Sequence, residues 1–374
     1  MKFFLAGDVL NINKKEGSLC SDTIEALIKS ADFSFCNLEA PLKARVNIEK
    51  EIGIAHGQSK NTIKILKQHG FQYFLLANNH MMDFGDTGLI KTIKEISNNN
   101  AFYLGAGVDF NKAYEPLILD CNGYKVGVIN ASERQYGTLE YGKEGVGYAW
   151  INDTHIDKLI PELKKKCDKV FLFSHAGLEN ITVPQDEWRD RYKYLCDLGV
   201  DVVCGSHPHV PQGIEEHRGS IIFYSLGNFY FDSPNYENKP NHTFSVLLDI
   251  DKDLNISYEL VYHSVVNGEV VISNKCDEND VEILNSRLSD DNFYTKIISD
   301  RYDKLKADLI YSLLDFDYDG GLKTSLRRLY YHHVKGVKKV NKSKYTEHIF
   351  NNESYMYLLQ SGSVINSNKD IFND

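Results

Sequence analysis

The sequence predicts an α/β protein with mixed sheets, followed by a mostly helical C-terminal appendage. In the first two thirds of the 374-residue chain, short apolar runs alternate with segments of helical periodicity, which is the pattern of α/β layering. Hairpin signals interrupt this alternation, so antiparallel strands are expected beside parallel ones. From about residue 275 onward, apolar residues recur at helical spacing instead.

Six apolar runs are predicted to be buried strands, because each is short, continuous and rich in β-branched or aromatic residues. They are KFFLA at 2–6, ADFSFC at 31–36, FQYFLLA at 71–77, KVFLFS at 169–174, VDVVC at 200–204 and IIFYSL at 221–226. Asn122-Gly123 between two apolar runs predicts a hairpin. Residues 243–273 predict a meander with turns at 251–255 and at Asn267-Gly268.

Three segments between the strands are predicted to be helices. Residues 59–70 have Ser59 as a candidate N-cap and Gly70 as a stop. Residues 86–97 show the same periodicity, and residues 184–199 open near a proline and end at a glycine. We therefore divide the chain into a domain of residues 1–274 and a helical appendage of residues 275–374, whose end carries a basic segment and is expected to fray.

Composition narrows the class of protein. The net charge of −10 argues against a nucleic-acid-binding function, which usually needs a basic surface. The seven cysteines form no CxxC pair, which favours a reducing compartment. The apolar run at the N-terminus is too short for a signal peptide or a transmembrane segment. The predicted compartment is the cytoplasm, with a peripheral place at the inner membrane left open.

Side chains able to bind metal follow five of the predicted strands directly. They are Asp8, Asn37 with Glu39, Asn79 with His80, His175, and His207 with His209. Loops at the carboxyl ends of strands converge in open α/β sheets, so these groups are expected to meet. Imidazole and carboxylate together suit Zn, Mn or Fe better than Ca. Each stretch alone is weak, since a single histidine after a strand is more often a hydrogen-bonded loop residue.

Seven motifs, in order along residues 1–260, give the chain a resemblance to the poly-γ-glutamate capsule-synthesis proteins of CapA type. These proteins are a branch of the calcineurin-like metallophosphoesterases. The motifs are GDV at 7–9, NLEAPL at 37–42, LANNHMMDFGDTGL at 76–89, GAG at 105–107, HAGLE at 175–179, LGVDVVCGSHPHVPQGIE at 198–215 and FYSLGNFYFD at 223–232.

The resemblance implies a four-layer α/β/β/α sandwich of metallophosphoesterase type that binds two divalent transition metals, Mn, Fe or Zn. Asp8 and His209 match ligands of the first metal. Glu39 matches the acid that bridges both metals, with Asn37 as the alternative. The wider superfamily has a histidine where this chain has Leu10, so the first metal is expected to be bound less tightly.

Asn79, His175 and His207 match ligands of the second metal in the same resemblance. His80 matches the histidine that faces the substrate phosphate rather than a metal. Asp83, three residues later, is a candidate for orienting His80. A helix N-cap or a turn is an equal alternative for Asp83.

The predicted function is that of a metal-dependent phosphoesterase in capsule or surface-polymer synthesis, in which a metal-activated hydroxide attacks a phosphoryl group. Its expected partners are an anionic phosphoester or polymer and other capsule-synthesis proteins, with no specific nucleic acid. Two alternatives stay open. One is a non-catalytic accessory protein that binds polymer, and the other is a metal-dependent hydrolase or ligase that acts on γ-glutamyl amide bonds.

Three further features are weighed against simpler interpretations. Asn228 follows another apolar run and could line the pocket, although a turn residue is the favoured interpretation. DFDYDGG at 315–321 begins like a calcium loop, but Leu326 stands where the loop needs glutamate, which favours an acidic loop. The basic stretch from Arg327 to Lys344 could contact an anionic polymer, although a solvated helix face is favoured.

Overall fold

Two mixed β-sheets form the centre of the protein. The computed structural model describes residues 1–372 apart from residues 15, 45–54, 122, 234–241 and 315–341. The larger sheet has eight strands: β1 (Lys2–Leu10), β2 (Phe33–Leu38), β3 (Tyr73–Leu75), β4 (Phe102–Leu104), β14 (Asn228–Phe231), β15 (Thr243–Ile250), β16 (Ile256–Val266) and β17 (Glu269–Ile272). Their order is β17-β16-β15-β1-β2-β3-β4, and β14 also pairs with β1.

The smaller sheet has six strands: β6 (Leu117–Cys121), β7 (Tyr124–Ser132), β10 (Lys169–His175), β11 (Val202–Ser206), β12 (Ile214–His217) and β13 (Ser220–Phe223). Their order is β12-β13-β11-β10-β7-β6. A short three-stranded sheet consists of β5 (Ala106–Gly107), β8 (Thr138–Leu139) and β9 (Gly147–Ala149). The main sheets each combine parallel and antiparallel pairs, as the hairpin signals predict.

The main sheets pack face to face, with helices on both outer faces. Between the sheets, Phe35 of β2 stacks on Phe173 of β10 with ring centroids 4.9 Å apart. The outer face of the large sheet is covered by α1 (Asp22–Ser30), α2 (Thr62–Gln68) and α3 (Gly85–Asn98). The outer face of the small sheet is covered by α5 (Thr154–Lys164) and α6 (Asp186–Asp197), while α4 (Phe110–Ala113) contacts β5 and β9. The four-layer α/β/β/α prediction is therefore confirmed.

The six predicted strands correspond to β1, β2, β3, β10, β11 and β13, and the meander of residues 243–273 corresponds to β15–β17. The hairpin is also confirmed, because Cys121 of β6 pairs with Tyr124 of β7. The Ser59 cap is wrong. Helix α2 begins at Thr62 after Asn61, because residues 59–62 first form a turn in which the Thr62 N–H donates to the Ser59 carbonyl at 3.1 Å. The helical pattern then starts with the Ile65 N–H, which donates to the Asn61 carbonyl at 2.9 Å.

In the part of the chain that the structure describes, four helices follow the sheets: α7 (Val281–Leu288), α8 (Asp291–Leu314), α9 (Lys342–Asn351) and α10 (Glu353–Phe372). Ile298, Ile349 and Leu358 pack together with Leu178, which lies in the loop after β10. The domain boundary at 274/275 stays a prediction. Residues 315–321 lie outside the described residues, as do residues 327–341 of the basic segment. Among the described helices, none has the length and apolar character needed to cross a membrane.

His263 on β16 makes the fold sensitive to acid. Its ring is buried between the hydroxyls of Thr243 and Ser245, at 3.2 and 2.9 Å, and burial lowers its pKa from 6.5 to about 3. The folded state therefore keeps this ring neutral while the unfolded chain protonates it. The stabilising contribution is complete above pH 6.5 and is lost progressively as the pH falls toward 3.

We expect His263→Gln to reduce the loss of stability in acid. Each pH unit below the unfolded pKa costs about 1.4 kcal/mol per such group, so the free energy of unfolding should fall about 3 kcal/mol less between roughly pH 6.5 and 4.5. Urea unfolding across that range measures the slope. An identical slope for the variant and the wild-type protein would show that His263 is not the titrating group.

Candidate functional site

The carboxyl ends of strands from both sheets meet at one end of the sandwich. On the large sheet, Asp8 of β1 lies in register with Asn37 of β2 and with Asn228 of β14. On the small sheet, His175 at the end of β10 lies in register with Ser206 at the end of β11. All nine predicted site residues lie at this end or on the loops that leave it. Their roles as ligands or catalytic groups stay predictions.

Gly7 sets the position of Asp8 on β1. A Cβ atom at position 7 would lie 1.8 Å from the carbonyl oxygen of Gly227, so only glycine allows this approach. The Asp8 N–H donates to that same carbonyl at 3.1 Å. The pairing of β1 with both neighbours shifts register here, as expected for a bulge that redirects a side chain. Glycine is therefore required before Asp8 in the first motif, because the Gly227 carbonyl approaches the backbone so closely.

Two groups of three potential ligands share Glu39. One group is Asp8, Glu39 and His209, the other is Glu39, His175 and His207, and within each group the ligand atoms lie within 4.8 Å of one another. His209 Nε2 lies 3.6 Å from Glu39 Oε1, and His209 Nδ1 lies 3.5 Å from Asp8 Oδ2. The HPH pair of the sequence thus contributes one imidazole to each group.

The surroundings of the Glu39 carboxylate indicate whether a metal ion fits at this end of the sandwich. Its side chain is 0% exposed, and neither carboxylate oxygen has a hydrogen-bond partner among the described residues. Burial raises its pKa from 4.5 to about 8, although His209 opposes this shift. A buried carboxylate without hydrogen bonds is costly unless a cation compensates it. The donor set therefore fits one or more divalent cations.

Burial and neighbouring charges set the protonation of the three imidazoles. Burial lowers the pKa of His175 well below 6.5 and that of His207 to about 4, so both rings are neutral, as metal ligands must be. For His209, burial is outweighed by the carboxylates of Glu39 and Asp8, which raise its pKa. Cation binding to those carboxylates would remove this bias toward the protonated ring.

The HPH loop has a strained backbone. His207 and His209 have φ values of +97° and +61°, a region that side chains other than glycine rarely adopt. The Pro208 carbonyl between them accepts the Asn180 N–H at 2.8 Å, which ties this loop to the loop after β10. Strain of this kind persists only where the surroundings enforce it, and it clusters at functional sites.

Amide side chains connect the ligand groups. Asn37 Nδ2 donates to Asp8 Oδ1 at 2.7 Å and lies 3.1 Å from His175 Nδ1. Its amide is therefore already engaged, whereas the Glu39 oxygens are not. Asn79 Oδ1 lies 2.9 Å from His175 Nε2. Asn228 Oδ1 lies 2.9 Å from His209 Nδ1, so it lines the site, which the favoured turn interpretation did not include.

His80 and Asp83 lie at the side of the site that opens to solvent. The His80 side chain is 20% exposed while that of Asp83 is fully buried, and His80 Nδ1 lies 2.8 Å from Asp83 Oδ2. The same Asp83 oxygen accepts the backbone N–H of His56 at 2.7 Å. The His56 ring packs edge-on against His80, with centroids 4.6 Å apart. Burial, together with His80, lowers the pKa of His56 to about 4.

Sequence reasoning missed three acidic or imidazole side chains at the site: His56, Glu133 and Glu179. Glu133 follows β7 directly and lies 3.6 Å from His207 Nε2. The rule that groups at strand ends converge would have found it if applied to the second strand of the hairpin. Although burial raises the pKa of Glu179, the nearby His209 and His207 outweigh that effect and lower it. His56 has no such signal, because it lies in a loop far from any strand end.

Comparisons with known proteins identify the family to which the chain is similar. A model of the family described as "Bacterial capsule synthesis protein PGA_cap" matches residues 5–233. The PGA biosynthesis protein CapA of Bacillus subtilis is 31% identical over 211 residues, covering 56% of each chain. The capsule biosynthesis protein CapA of Bacillus anthracis is 33% identical over 216 residues, covering 56% of this chain and 53% of the other. The chain thus spans about half the length of these relatives.

Two solved structures from Thermus thermophilus are also similar. A 5'-nucleotidase precursor has a TM-score of 0.42 at 10% identity, over 80% of this chain and 59% of that one. A hypothetical protein has a TM-score of 0.41 at 13% identity, over 70% and 99%. The family match extends over more than half of the sequence, and the chain therefore belongs to the bacterial capsule synthesis protein family PGA_cap.

Proposed function

We propose that the chain is a metal-dependent phosphoesterase of capsule-polymer synthesis, active at the site around Glu39. The observation that carries the proposal is the buried Glu39 carboxylate, which has no hydrogen-bond partner among the described residues and belongs to both ligand groups. Asp8 and His209 would complete one cation site, and His175 and His207, with the nearby Asn79 amide, the other. When bound, divalent transition metals supply Lewis-acid stabilisation of a phosphoryl group and acidify water.

The residues of the chain supply orientation and proton transfer. With Nδ1 of His80 held by Asp83 at 2.8 Å, the opposite ring nitrogen Nε2 is directed away from the buried carboxylate. This imidazole can donate a hydrogen bond to a phosphoryl oxygen or protonate the leaving oxygen. Asp83 is itself fixed by the His56 N–H. The surrounding burial keeps bulk water away from the ligand groups, which strengthens electrostatic interactions with an anionic substrate.

Leu10 favours a second candidate function, that of a non-catalytic accessory protein. Its side chain is fully buried against Ala40 and Phe231, so the position two residues after Asp8 contributes apolar packing and no ligand. The Asp8 group then has only two carboxylates and one imidazole among the described acidic residues, histidines and cysteines. A protein of Mycobacterium tuberculosis named "Probable polyglutamine synthesis accessory protein" is 25% identical over 231 residues.

Metal analysis and a substrate panel separate these functions. We expect the purified chain to bind about two divalent cations and to hydrolyse bis-p-nitrophenyl phosphate or p-nitrophenyl phosphate. His209→Ala should remove one cation and lower the hydrolytic activity at least about 100-fold. His217→Ala is the matched control, because that histidine pairs with Asp197 on the surface. Metal bound without hydrolysis would favour the accessory function, and cleavage of γ-glutamyl-p-nitroanilide alone would favour the amide-bond alternative.

A further inference from the structure

The N-terminus of α10 is inserted into the wall of the site. Asn352 caps the helix, since its Oδ1 accepts the Tyr355 N–H at 2.8 Å. The first residue, Glu353, exchanges backbone and side-chain hydrogen bonds with Arg134 at 3.2 and 2.9 Å and accepts the Trp150 indole N–H at 2.9 Å. The appendage is thereby attached to the segment that follows β7.

Ser354, the second residue of α10, contacts a buried carboxylate of this segment. Its hydroxyl donates to Oε2 of Glu133, and the same oxygen accepts the Gly177 N–H at 3.0 Å. The Trp188 indole N–H donates to Ser354 Oγ at 2.9 Å, which leaves the serine proton directed at Glu133. Gln135 donates to the other carboxylate oxygen of Glu133 at 2.6 Å. Glu133 is thus fixed from three sides.

The fourth neighbour of Glu133 is His207. Glu133 Oε1 lies 3.6 Å from His207 Nε2, while His207 Nδ1 has no hydrogen-bond partner among the described residues. Histidines that bind a metal through one ring nitrogen usually give the other N–H to a carboxylate, which fixes both the tautomer and the ring orientation. Glu133 occupies that place for His207, with Nδ1 left for the cation.

We propose that Glu133 is a positioning residue for His207 and that Ser354 of α10 holds it in place. The C-terminal helices then control the cation affinity of the group formed by Glu39, His175 and His207, although they contribute no residue to that group. This inference rests on the metal site of the proposed function. It adds to that function a route by which a partner bound to the appendage could change metal occupancy.

The test uses the full chain stripped of metal, with Mn²⁺ titrated by calorimetry into Glu133→Gln and Ser354→Ala. Ser363→Ala is the matched control, because this serine lies on the exposed side of the same helix and its hydroxyl donates to the local Gln360 carbonyl at 2.8 Å. We expect one of the two Mn²⁺ equivalents to bind about 10- to 100-fold more weakly in both test variants. The other equivalent should keep its affinity, and the control should match the wild-type protein.

A second measurement does not depend on metal. In the metal-free protein labelled with ¹⁵N-histidine, NMR should show His207 as the Nε2–H tautomer, and Glu133→Gln should change the population or the shift of that signal. The inference would be overturned if both variants bound both Mn²⁺ equivalents with wild-type affinity. It would also be overturned if the two Mn²⁺ equivalents were weakened equally. A wild-type protein that binds no Mn²⁺ would refute the proposed function itself, and the inference with it.

Discussion

Replacing Glu39 by glutamine is expected to remove both bound cations and to abolish metal-dependent activity. Among the described residues, Glu39 is the member that the two ligand groups share, so its substitution changes both sets of ligand atoms at once. An amide is a weak ligand for a divalent transition metal compared with a carboxylate. Metal content measured by inductively coupled plasma spectrometry should fall from about two equivalents to well below one.

In the metal-free protein the same substitution should act in the opposite direction and increase stability. The pKa of Glu39 rises from 4.5 in the unfolded chain to about 8 in the folded protein, because the carboxyl group is buried. Its contribution is therefore fully present below pH 4.5 and is lost as the pH rises through about 8. The Glu39→Gln variant lacks this titration. Over the same pH range its free energy of unfolding should therefore fall by about 2–4 kcal/mol less than that of the wild-type protein.

Unfolding with urea, in chelator, at several pH values measures this difference. Glu216→Gln, at an exposed position of β12, is the control for a glutamate that is not buried. A Glu39→Gln protein that retains two cations would contradict the interpretation of Glu39 as a shared ligand. A metal-free variant that is less stable than the wild-type protein at pH 8 would contradict the destabilising effect assigned to the buried carboxylate.

Replacing His80 by asparagine is expected to lower kcat by about 100- to 10,000-fold while the metal content stays the same. His80 belongs to neither ligand group, and it is more exposed than the ligands. Its loss removes the proton donor but leaves the groups around Glu39 intact. Steady-state kinetics with a p-nitrophenyl phosphodiester, beside metal analysis of the same preparation, measure both quantities.

Asp83→Asn provides the matched comparison, because it keeps the acceptor for the His56 N–H and removes only the charge beside His80. We expect a smaller reduction of kcat than for His80→Asn and no change in metal content. If His80→Asn loses metal, then His80 is a ligand rather than a proton donor. If kcat does not change, His80 has no part in the reaction.

Much of the fold could be predicted because its strands are continuous apolar runs with clear ends. Buried strands such as β10 carry this signal regardless of their neighbours. The edges of the sheets could not be predicted in the same way, since the short strands β4, β5 and β8 depend on tertiary pairing more than on their own sequence. The Ser59 cap was wrong because residues 59–62 form a turn before α2 begins, and serine favours turns as well as helix caps.

The residues of the candidate site that come directly after a predicted strand could be found from the sequence. Asp8, His175 and His207 satisfy that rule, and the structure brings them together. The residues that surround these candidate ligands could not be predicted from the sequence. His56 reaches His80 from a loop, and Ser354 reaches the site from the far end of the chain. Such contacts depend on how the elements pack in space, and no local pattern of residues reports that packing.

The position of β1 within the large sheet has a consequence for biosynthesis. Asp8 lies on β1, which pairs with the nearby β2 and also with β14 and β15. Asp8 itself is in register with Asn228, and Lys2 at the start of the strand is in register with Asp249. The ribosome must therefore release the chain beyond Asp249 before β1 can pair with both β14 and β15, and closing such distant contacts is slow. Cation capture is then expected after translation rather than during it. Cellular metal supply at that moment would decide which ion the newly made protein acquires.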